Sequence, residues 1–548
     1  MEDASLAPET GYDAIVVGAG FAGLYMVYRL RERGLRVLGI ERGSDVGGTW
    51  FWNRYPGARC DVESVDYSYS FSEELQQEWV WSERYATAPE ILSYVHHVAD
   101  RFDLRKHYLL DTTVESAIFD EGSARWMVRT DSGEVHEAQY CIMATGCLSV
   151  PSKPEFPGIA DFRGEILHTG DWPTEPVDFT GSRVAVIGTG SSGTQLIPLV
   201  AEQAGHLTVF QRTPNFCVPA NNAPLSAAYL AEVKANYAER RAFTRSTATG
   251  LARDMNRVSA LAVSRDERRA IYEENWKTAG FGFILSFNDL LASPEANATA
   301  VEFLNSKARE LIEDPTLAQK LTATNHPFGA KRPCVDSGFY ETFNRDNVSL
   351  VDVKAEVIQG LTEEGIRTTE RDYSFDKIVF ATGFEAMTGA LNRIDIVGRG
   401  GSTLKERWSD GPITYLGVAV SGFPNLFMIT GPGSPSVLSN VLVSIEQHVG
   451  FIDEMLVHAD AVDARTIEAE ARSEREWSDH VQDLAYSTLY PHGNSWYLAP
   501  QRPAEGRRVF MPYTGGLRAY RRKCAAVAEQ GYTGFRIASN DRVAQPVG

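Results

Sequence analysis

Twice in this chain a short apolar run breaks into three glycines spaced G-x-G-x-x-G and then into a helical pattern. First, Ala14-Ile15-Val16-Val17 leads to Gly18, Gly20 and Gly23, and Leu24 through Arg33 continue with helical spacing. Later, Val184-Ala185-Val186-Ile187 leads to Gly188, Gly190 and Gly193, and a helix runs through Leu199. Continuous apolar runs of this kind suit strands buried on both faces of a parallel sheet. The glycines allow a tight strand-to-helix turn and let backbone N–H groups approach a pyrophosphate at a helix N-terminus. A lone triplet is weak evidence, but one set between strand and helix is strong. Two such units predict an α/β fold with two Rossmann-like dinucleotide-binding domains and two bound dinucleotides.

The second strand of each unit tells the two apart. In the first unit, Leu35 to Ile40 forms that strand and ends in Glu41, about 20 residues past the glycines, where a ribose-binding acid is expected. A carboxylate there accepts ribose hydroxyls and repels a 2′-phosphate, so this unit suits FAD. In the second unit, Leu207 to Phe210 ends in Gln211-Arg212-Thr213. A guanidinium beside a hydroxyl suits the 2′-phosphate of NADPH. The ligand-free alternatives are a bare turn and a solvated surface arginine, and the repeated glycine context favours the ligands.

Between the units, Val114 to Tyr140 reads as short alternating strands, closing on an apolar strand, Tyr140 to Ala144, and Thr145-Gly146. A similar passage from Val353 to Lys377 closes on Ile378-Val379-Phe380-Ala381 and Thr382-Gly383. From Pro224 to Thr322 the pattern turns helical: Ser264 and Glu267 have capping-box spacing, and Ser293-Pro294 makes a helix start. Val301, Leu304, Ala308, Leu311 and Ile312 share one face. The expected organisation is an FAD-binding domain from 1–150 and 385–548, an NADP-binding domain from 151–223 and 323–384, and a helical insertion over 224–322.

A length of 548 residues exceeds one growing core, and 43% apolar residues exclude disorder. A net charge of −19 repels phosphate backbones and anionic lipid, which argues against nucleic acid or membrane as partner and for small molecules. The six cysteines show no CxxC pair and no zinc spacing, so no metal site is expected. Cys141 and Cys147 read as buried strand thiols. The start, MEDASLAPETGYD, lacks the basic and apolar regions of a signal peptide. A cytoplasmic monomer is the expectation.

FAD with NADPH admits disulfide reduction, simple oxidase activity or oxygenation. A disulfide reductase needs a redox cysteine pair, and none is visible. Oxygenation needs no protein nucleophile, because the flavin carries the peroxide. It needs a cation to hold a negatively charged peroxyflavin, and exclusion of water.

Residues 162–173, FRGEILHTGDWP, match the pattern FxGxxxHxxxWP, and Gly48-Thr49-Trp50, Tyr55-Pro56-Gly57 and Asp61 match GxWxxxxYPGxxxD. On both fingerprints the chain resembles the type I Baeyer–Villiger monooxygenases over nearly its whole length. NHPFGAKRP, GPGSPSVLSNVLVSIEQH and NSWYL extend the resemblance, most of all to the phenylacetone and steroid monooxygenase subgroup. It implies oxidation of an apolar ketone by dioxygen to an ester or lactone, with sulfoxidation as a side activity. Arg332 then matches the catalytic arginine that stabilises the peroxyflavin and the developing oxyanion, and Asp61 the acid that positions it. Lys331 joins Arg212 and Thr213 around the NADP phosphate. Trp50, Tyr67 and Val114 fall at FAD contacts, and Trp496 on a loop closing over NADP. Phe21, Gly48, Thr49, Arg59, Cys60, Thr189, Ser191, Ser192 and Val441, with Asp61 and Arg332 themselves, complete the expected cofactor-binding set. Val62, Leu148, Val437, Leu438 and Val441 neighbour the flavin-site segments and are the expected substrate pocket. His168 reads as a linker rather than a proton carrier. One departure is Ala499-Pro500-Gln501 where relatives often continue with GAN, since proline stiffens the chain and removes a donor. The alternatives are an N- or S-hydroxylating flavin monooxygenase, an NADPH oxidase that leaks peroxide, and a non-catalytic FAD/NADP-binding sensor.

Overall fold

The computed structural model describes residues 11–278, 280–501, 503 and 506–539. Its larger sheet has eight strands. Tyr12–Val17 lies inside it, parallel to Val37–Ile40 on one side and to Val135–Met143 on the other. Val135–Met143 serves two partners in turn. Its first half pairs antiparallel with Arg125–Thr130, which pairs with Val114–Asp120, and its last residues pair in parallel with Leu426–Met428. Asp395–Val397 pairs with Val114–Asp120, so chain beyond residue 384 returns to the first sheet.

The apolar run of the first strand is explained by the elements that cover it. Ala14 and Val16 pack in one cluster with Leu24, Val27 and Leu30 of the helix Phe21–Glu32, and with Val449 and Ile452 of the helix Val441–Ala461. Ile15 and Val17 pack on the other face with Trp126, Val128 and Met143. With both faces buried, no polar alternation is possible.

The second sheet has five strands in the order Val348–Asp352, His206–Gln211, Arg183–Ile187, Lys377–Phe380, Glu165–His168, all parallel. The passage after Val353 forms the antiparallel strands Ile358–Thr362, Gly365–Thr368 and Asp372–Ser374.

Helices fill much of 224–322, among them Arg265–Thr278 and Pro294–Leu311. Ser264 Oγ accepts from the Glu267 N–H at 3.3 Å while the Glu267 carboxylate accepts from the Ser264 N–H at 3.0 Å, forming the capping box. Ser293 caps the helix that opens at Pro294. Leu304 and Ala308 are buried, and Ile312 lies just past the helix end. The aromatic core here, Tyr272, Phe283, Phe287 and Phe303, also draws in Phe216, Phe328 and Val335 from the flanking chain. No described helix is long and apolar enough to cross a membrane.

Candidate functional site

Both glycine turns open on one cavity of about 1150 Å³. At the first turn, Gly18 adopts φ +110°, and a Cβ there would stand 2.5 Å from the Ala144 carbonyl oxygen. A Cβ on Gly48 would stand 2.7 Å from the Gly20 Cα, so two bare backbone segments face each other. This is a cradle that side chains would fill. Glu41 is buried beside it, with Oε2 accepting from the Ala19 N–H at 2.7 Å and Oε1 from the Gly43 N–H at 2.8 Å. Burial raises the Glu41 pKa, and those two N–H groups oppose the rise. Each carboxylate oxygen keeps acceptor capacity, so ribose hydroxyls still find a partner.

Phe21, Thr49, Trp50, Arg59, Cys60, Tyr67 and Val114 all line the cavity. The Trp50 indole donates to the Tyr67 hydroxyl at 3.2 Å, and the Phe21 and Tyr67 rings meet edge to face. Gly23 does not line it. Its absent Cβ would overlap the Gly18 carbonyl, which assigns it to close packing of helix on strand.

The second turn repeats the geometry. Gly188 has φ +115°, with the Ala381 oxygen 2.4 Å from any Cβ, and Gly193 packs on the Gly188 carbonyl rather than lining the cavity. Thr189, Gly190, Ser191 and Ser192 line it, as do Arg212, Thr213 and Lys331. Burial lowers the Lys331 pKa, and the charges of Arg212 and Lys354 lower it further.

Between the turns lies an ion pair spanning 271 sequence positions. Arg332 donates from Nε and Nη2 to the two Asp61 oxygens, each at 2.8 Å, and from Nη1 to the Val437 carbonyl at 2.7 Å. The guanidinium also lies over the Phe281 ring, 4.4 Å from its centroid. Burial pushes the Arg332 pKa down, but the charge and hydrogen bonds of Asp61 outweigh it, and the net shift is upward. The cation is permanent. Next to it, burial raises the Cys60 thiol and pushes the Tyr497 phenol up to about 12.

The fingerprints owe their residues to contacts between the two nucleotide units. The Tyr55 hydroxyl donates to Gln195 Oε1 at 2.8 Å, and Gln195 Nε2 donates to the Arg59 carbonyl at 3.0 Å. A Cβ on Gly57 would stand 2.4 Å from the Gln195 carbonyl oxygen, so glycine lets this loop rest on the nucleotide helix Ser191–Gln203. Trp172 meets the Tyr55 ring edge to face, and its carbonyl accepts from Arg54 at 3.0 Å. His168 stands off the cavity wall. Its Nδ1 accepts from the Gly170 N–H, and its Nε2 reaches Thr382 Oγ1 and the Ser152 carbonyl. Burial lowers its pKa, and its bonds tie together three loops.

Val62, Leu148, Val437 and Val441 line the cavity. Leu438 does not, and instead packs with Tyr497 and Phe510. Val437 and Leu438 are successive in the 3₁₀ turn Ser436–Leu438, where side chains diverge by about 120°, so Leu438 turns off the cavity wall that Val437 lines. Cys147, expected as a buried strand thiol, instead sits in a bend beyond the strand, lines the cavity and contacts Ser436 Oγ at 2.9 Å. Cys141 is buried in the strand, and all six thiols are free. Among the described residues no cluster suited to a metal ion occurs. Trp496 lines the cavity and packs near Cys147, Leu148 and Val437. The stretch behind it pairs with chain 509–511 through the Ala499 N–H, which donates to the Val509 carbonyl at 2.8 Å. Pro500 is exposed one residue past that bond.

The family model described as pyridine nucleotide-disulphide oxidoreductase matches residues 15–299. A solved steroid monooxygenase bound to NADP superposes with a TM-score of 0.93 at 52% identity, covering 97% of this chain and 100% of that one. A Baeyer–Villiger monooxygenase of Pseudooceanicola batsensis is 42% identical over 98% of this chain and 97% of its own length. A phenazine N-monooxygenase of Lysobacter antibioticus is 42% identical over 97% of this chain and 98% of its own. With both fingerprints in mutual contact around one cavity, and relatives this similar over their full length, the chain belongs to the Baeyer–Villiger monooxygenase family.

Proposed function

We propose that this protein uses NADPH, dioxygen and FAD to insert one oxygen atom beside the carbonyl of an apolar ketone, giving an ester or lactone. The observation that carries the reading is the Asp61–Arg332 pair between the two glycine turns. FAD held at the first turn and reduced by NADPH would supply activated dioxygen, one atom of which enters the ketone while the other leaves as water. Arg332 holds negative charge near that centre and on the ketone oxygen as the carbonyl is attacked. Of its five N–H donors, the three aimed at Asp61 and Val437 fix its orientation, and the other two are left for an incoming oxyanion. Asp61 is a positioning residue that keeps the guanidinium in the cavity. Val62, Leu148, Val437 and Val441 supply an apolar wall, and Trp496 adds an indole that excludes water.

In this reading the first turn, Glu41, Trp50, Tyr67 and Val114 hold FAD, and the second turn, Arg212, Thr213 and Lys331 hold NADPH. Segments 1–150 and 385–548 form the FAD part, and 151–223 with 323–384 the NADP part carrying the 224–322 insertion. The protein acts as a cytoplasmic monomer on small molecules. A second reading, oxygenation of a ring nitrogen, has support from the phenazine N-monooxygenase relative.

The test is mass spectrometry of products after incubation with NADPH and air, using cyclic and aryl ketones, a sulfide and a heteroaromatic amine. An ester or lactone one oxygen heavier than its ketone is expected. Oxygenation of only the amine or sulfide would replace the reading with N- or S-oxygenation, and NADPH loss yielding only hydrogen peroxide would mark an oxidase.

A further inference from the structure

Two thiols that oxygen transfer does not use stand side by side next to the nucleotide helix Ser191–Gln203. Cys217 and Cys334 are register partners in the parallel pair Cys217–Pro219 and Cys334–Asp336, and the Cys334 N–H donates to the Phe216 carbonyl at 2.9 Å. Neighbouring strands lie about 4.8 Å apart. A disulfide spans Cα separations of about 4.4–6.8 Å, so the pair can be bridged where it stands. Both side chains are buried, and both thiols are free.

The two sulfurs are not equivalent. Asn215 Nδ2 donates to the Cys334 sulfur at 3.2 Å, and Ser191 Oγ, on the first residue of the helix, donates to it at 3.9 Å. The Cys217 S–H is directed at the same sulfur, and Thr194, whose buried hydroxyl has no other partner, stands beside it. The bond from Cys217 lowers the Cys334 pKa; burial opposes it, and Thr194, Ser191 and Asn215 lower it further. That bond and burial raise the Cys217 pKa. The first turn of a helix favours the same anion. Cys334 gives up its proton first. Ser191 and Asn215 also line the main cavity, so Cys334 lies one side chain behind its wall. Rotation of either side chain opens the sulfur to a molecule as small as hydrogen peroxide.

We propose that Cys334 and Cys217 are a peroxide-modified dithiol, which closes to a disulfide and reopens under a reductant. The Cys334 sulfur attacks one oxygen of hydrogen peroxide. An S–O bond forms as the O–O bond breaks, and the thiol proton leaves with the other oxygen as water. The Cys217 sulfur then attacks the sulfenic sulfur. The S–S bond forms, the S–O bond breaks, and a second water carries off the Cys217 proton. Two thiols are oxidised while one peroxide is reduced to two waters. The bridge falls close to the cation of the main site. Arg332 lies two residues before Cys334, and Asn215 Nδ2 also donates to the Arg332 carbonyl at 2.9 Å. Closing the disulfide takes from Asn215 its sulfur acceptor and is expected to lower oxygenation reversibly. That effect rests on the role of Arg332 in oxygen transfer; the modification itself does not.

The test treats the full-length FAD-loaded protein with hydrogen peroxide, stops it with catalase, then unfolds the chain and alkylates its free thiols. Peptide mass spectrometry is expected to find Cys217 and Cys334 joined, about 2 Da lighter than the two thiols. Their oxidation should run about fivefold faster, or more, than that of Cys60 or Cys147, and dithiothreitol should restore both thiols. Cys217→Ala is expected to leave Cys334 as a sulfenic acid that dimedone labels. If that variant does not fold, dimedone added during brief exposure of the unsubstituted protein reads the same order. A pair that stays fully alkylated after treatment, whatever happens to the other thiols, would overturn the inference. Dimedone on Cys217 rather than Cys334 would overturn the assigned order. A disulfide that leaves oxygenation unchanged would overturn the link to Arg332 alone.

Discussion

The two glycine turns share their backbone geometry and differ in the side chains that close them. Around the first, the protein satisfies itself: Glu41 is buried and takes two backbone N–H groups. Around the second, Arg212 is exposed and Lys331 and Lys354 stand beside it unpaired. A site whose polar groups are already matched binds by shape and by its remaining lone pairs. One left with excess charge binds by neutralisation, and weakens as salt screens it. On the proposed reading, the first takes its cofactor by fit and the second by charge.

The strongest way to probe this contrast is to remove the cation that stands between the sites. Arg332→Ala should cut ester formation by roughly 10²–10³-fold or more, the scale of losing a donor to a developing oxyanion. Flavin absorbance and NADP binding should survive, because neither turn depends on that guanidinium; loss of both cofactors would mean the sites are not separable. Next in size, Arg212→Ala should lower the NADPH-over-NADH ratio of kcat/KM by about 10- to 100-fold, as expected for a charge-assisted hydrogen bond of about 1.5–3 kcal/mol. Its FAD content should not change, and a parallel loss of FAD would erase the distinction. Glu41→Gln should do the reverse. An amide nitrogen would face a backbone N–H, weakening FAD by about tenfold, or about 1–2 kcal/mol, with the NADP dissociation constant as the control.

A further contrast, read in stability rather than activity, concerns support beneath the first sheet. His448 is fully buried, accepts from the Thr430 N–H at 2.8 Å and meets the Tyr520 hydroxyl at 2.7 Å. Burial lowers its pKa from 6.5 to about 3. A folded-state value below the unfolded one means stability is fully present above pH 6.5 and is lost as pH falls toward 3. The loss is at most about 1.4 kcal/mol per pH unit. Thermal melts at pH 7.5 and pH 5 should show a shallower pH dependence for His448→Gln; an equal slope would assign the acid sensitivity to other groups.

The turns and the strand ends that carry Glu41 and Arg212 were legible because each rests on local spacing with one physical solution. The ladder of strands after each unit was legible for the same reason, through alternation and turn residues. The Asp61–Arg332 pair was not readable from spacing, since 271 positions separate its members, and only the resemblance linked them. Phe281 beneath Arg332 went unforeseen because it lies in the 3₁₀ stretch Gly280–Leu285, which has no periodic signature. Leu438 was misplaced for a related reason, the divergence of neighbouring side chains in such a turn. The Cys217–Cys334 pair gave no signal, as its members lie on strands far apart in sequence. The Tyr55–Gln195 contact explains why a tyrosine and a glycine are paired in the GxWxxxxYPGxxxD fingerprint.

The return of the chain to its first sheet sets an order on synthesis. The strand Tyr12–Val17 emerges first, yet its sheet receives Asp395–Val397 and Leu426–Met428 only after the last parallel strand of the other sheet, Lys377–Phe380, has been made. At about 5–20 residues per second, the interval between Tyr12–Val17 and Leu426–Met428 is on the order of 20–80 seconds. Through that interval the earlier sheet keeps an open edge, and its neighbour is completed before it. The half of the molecule begun first is the half closed last.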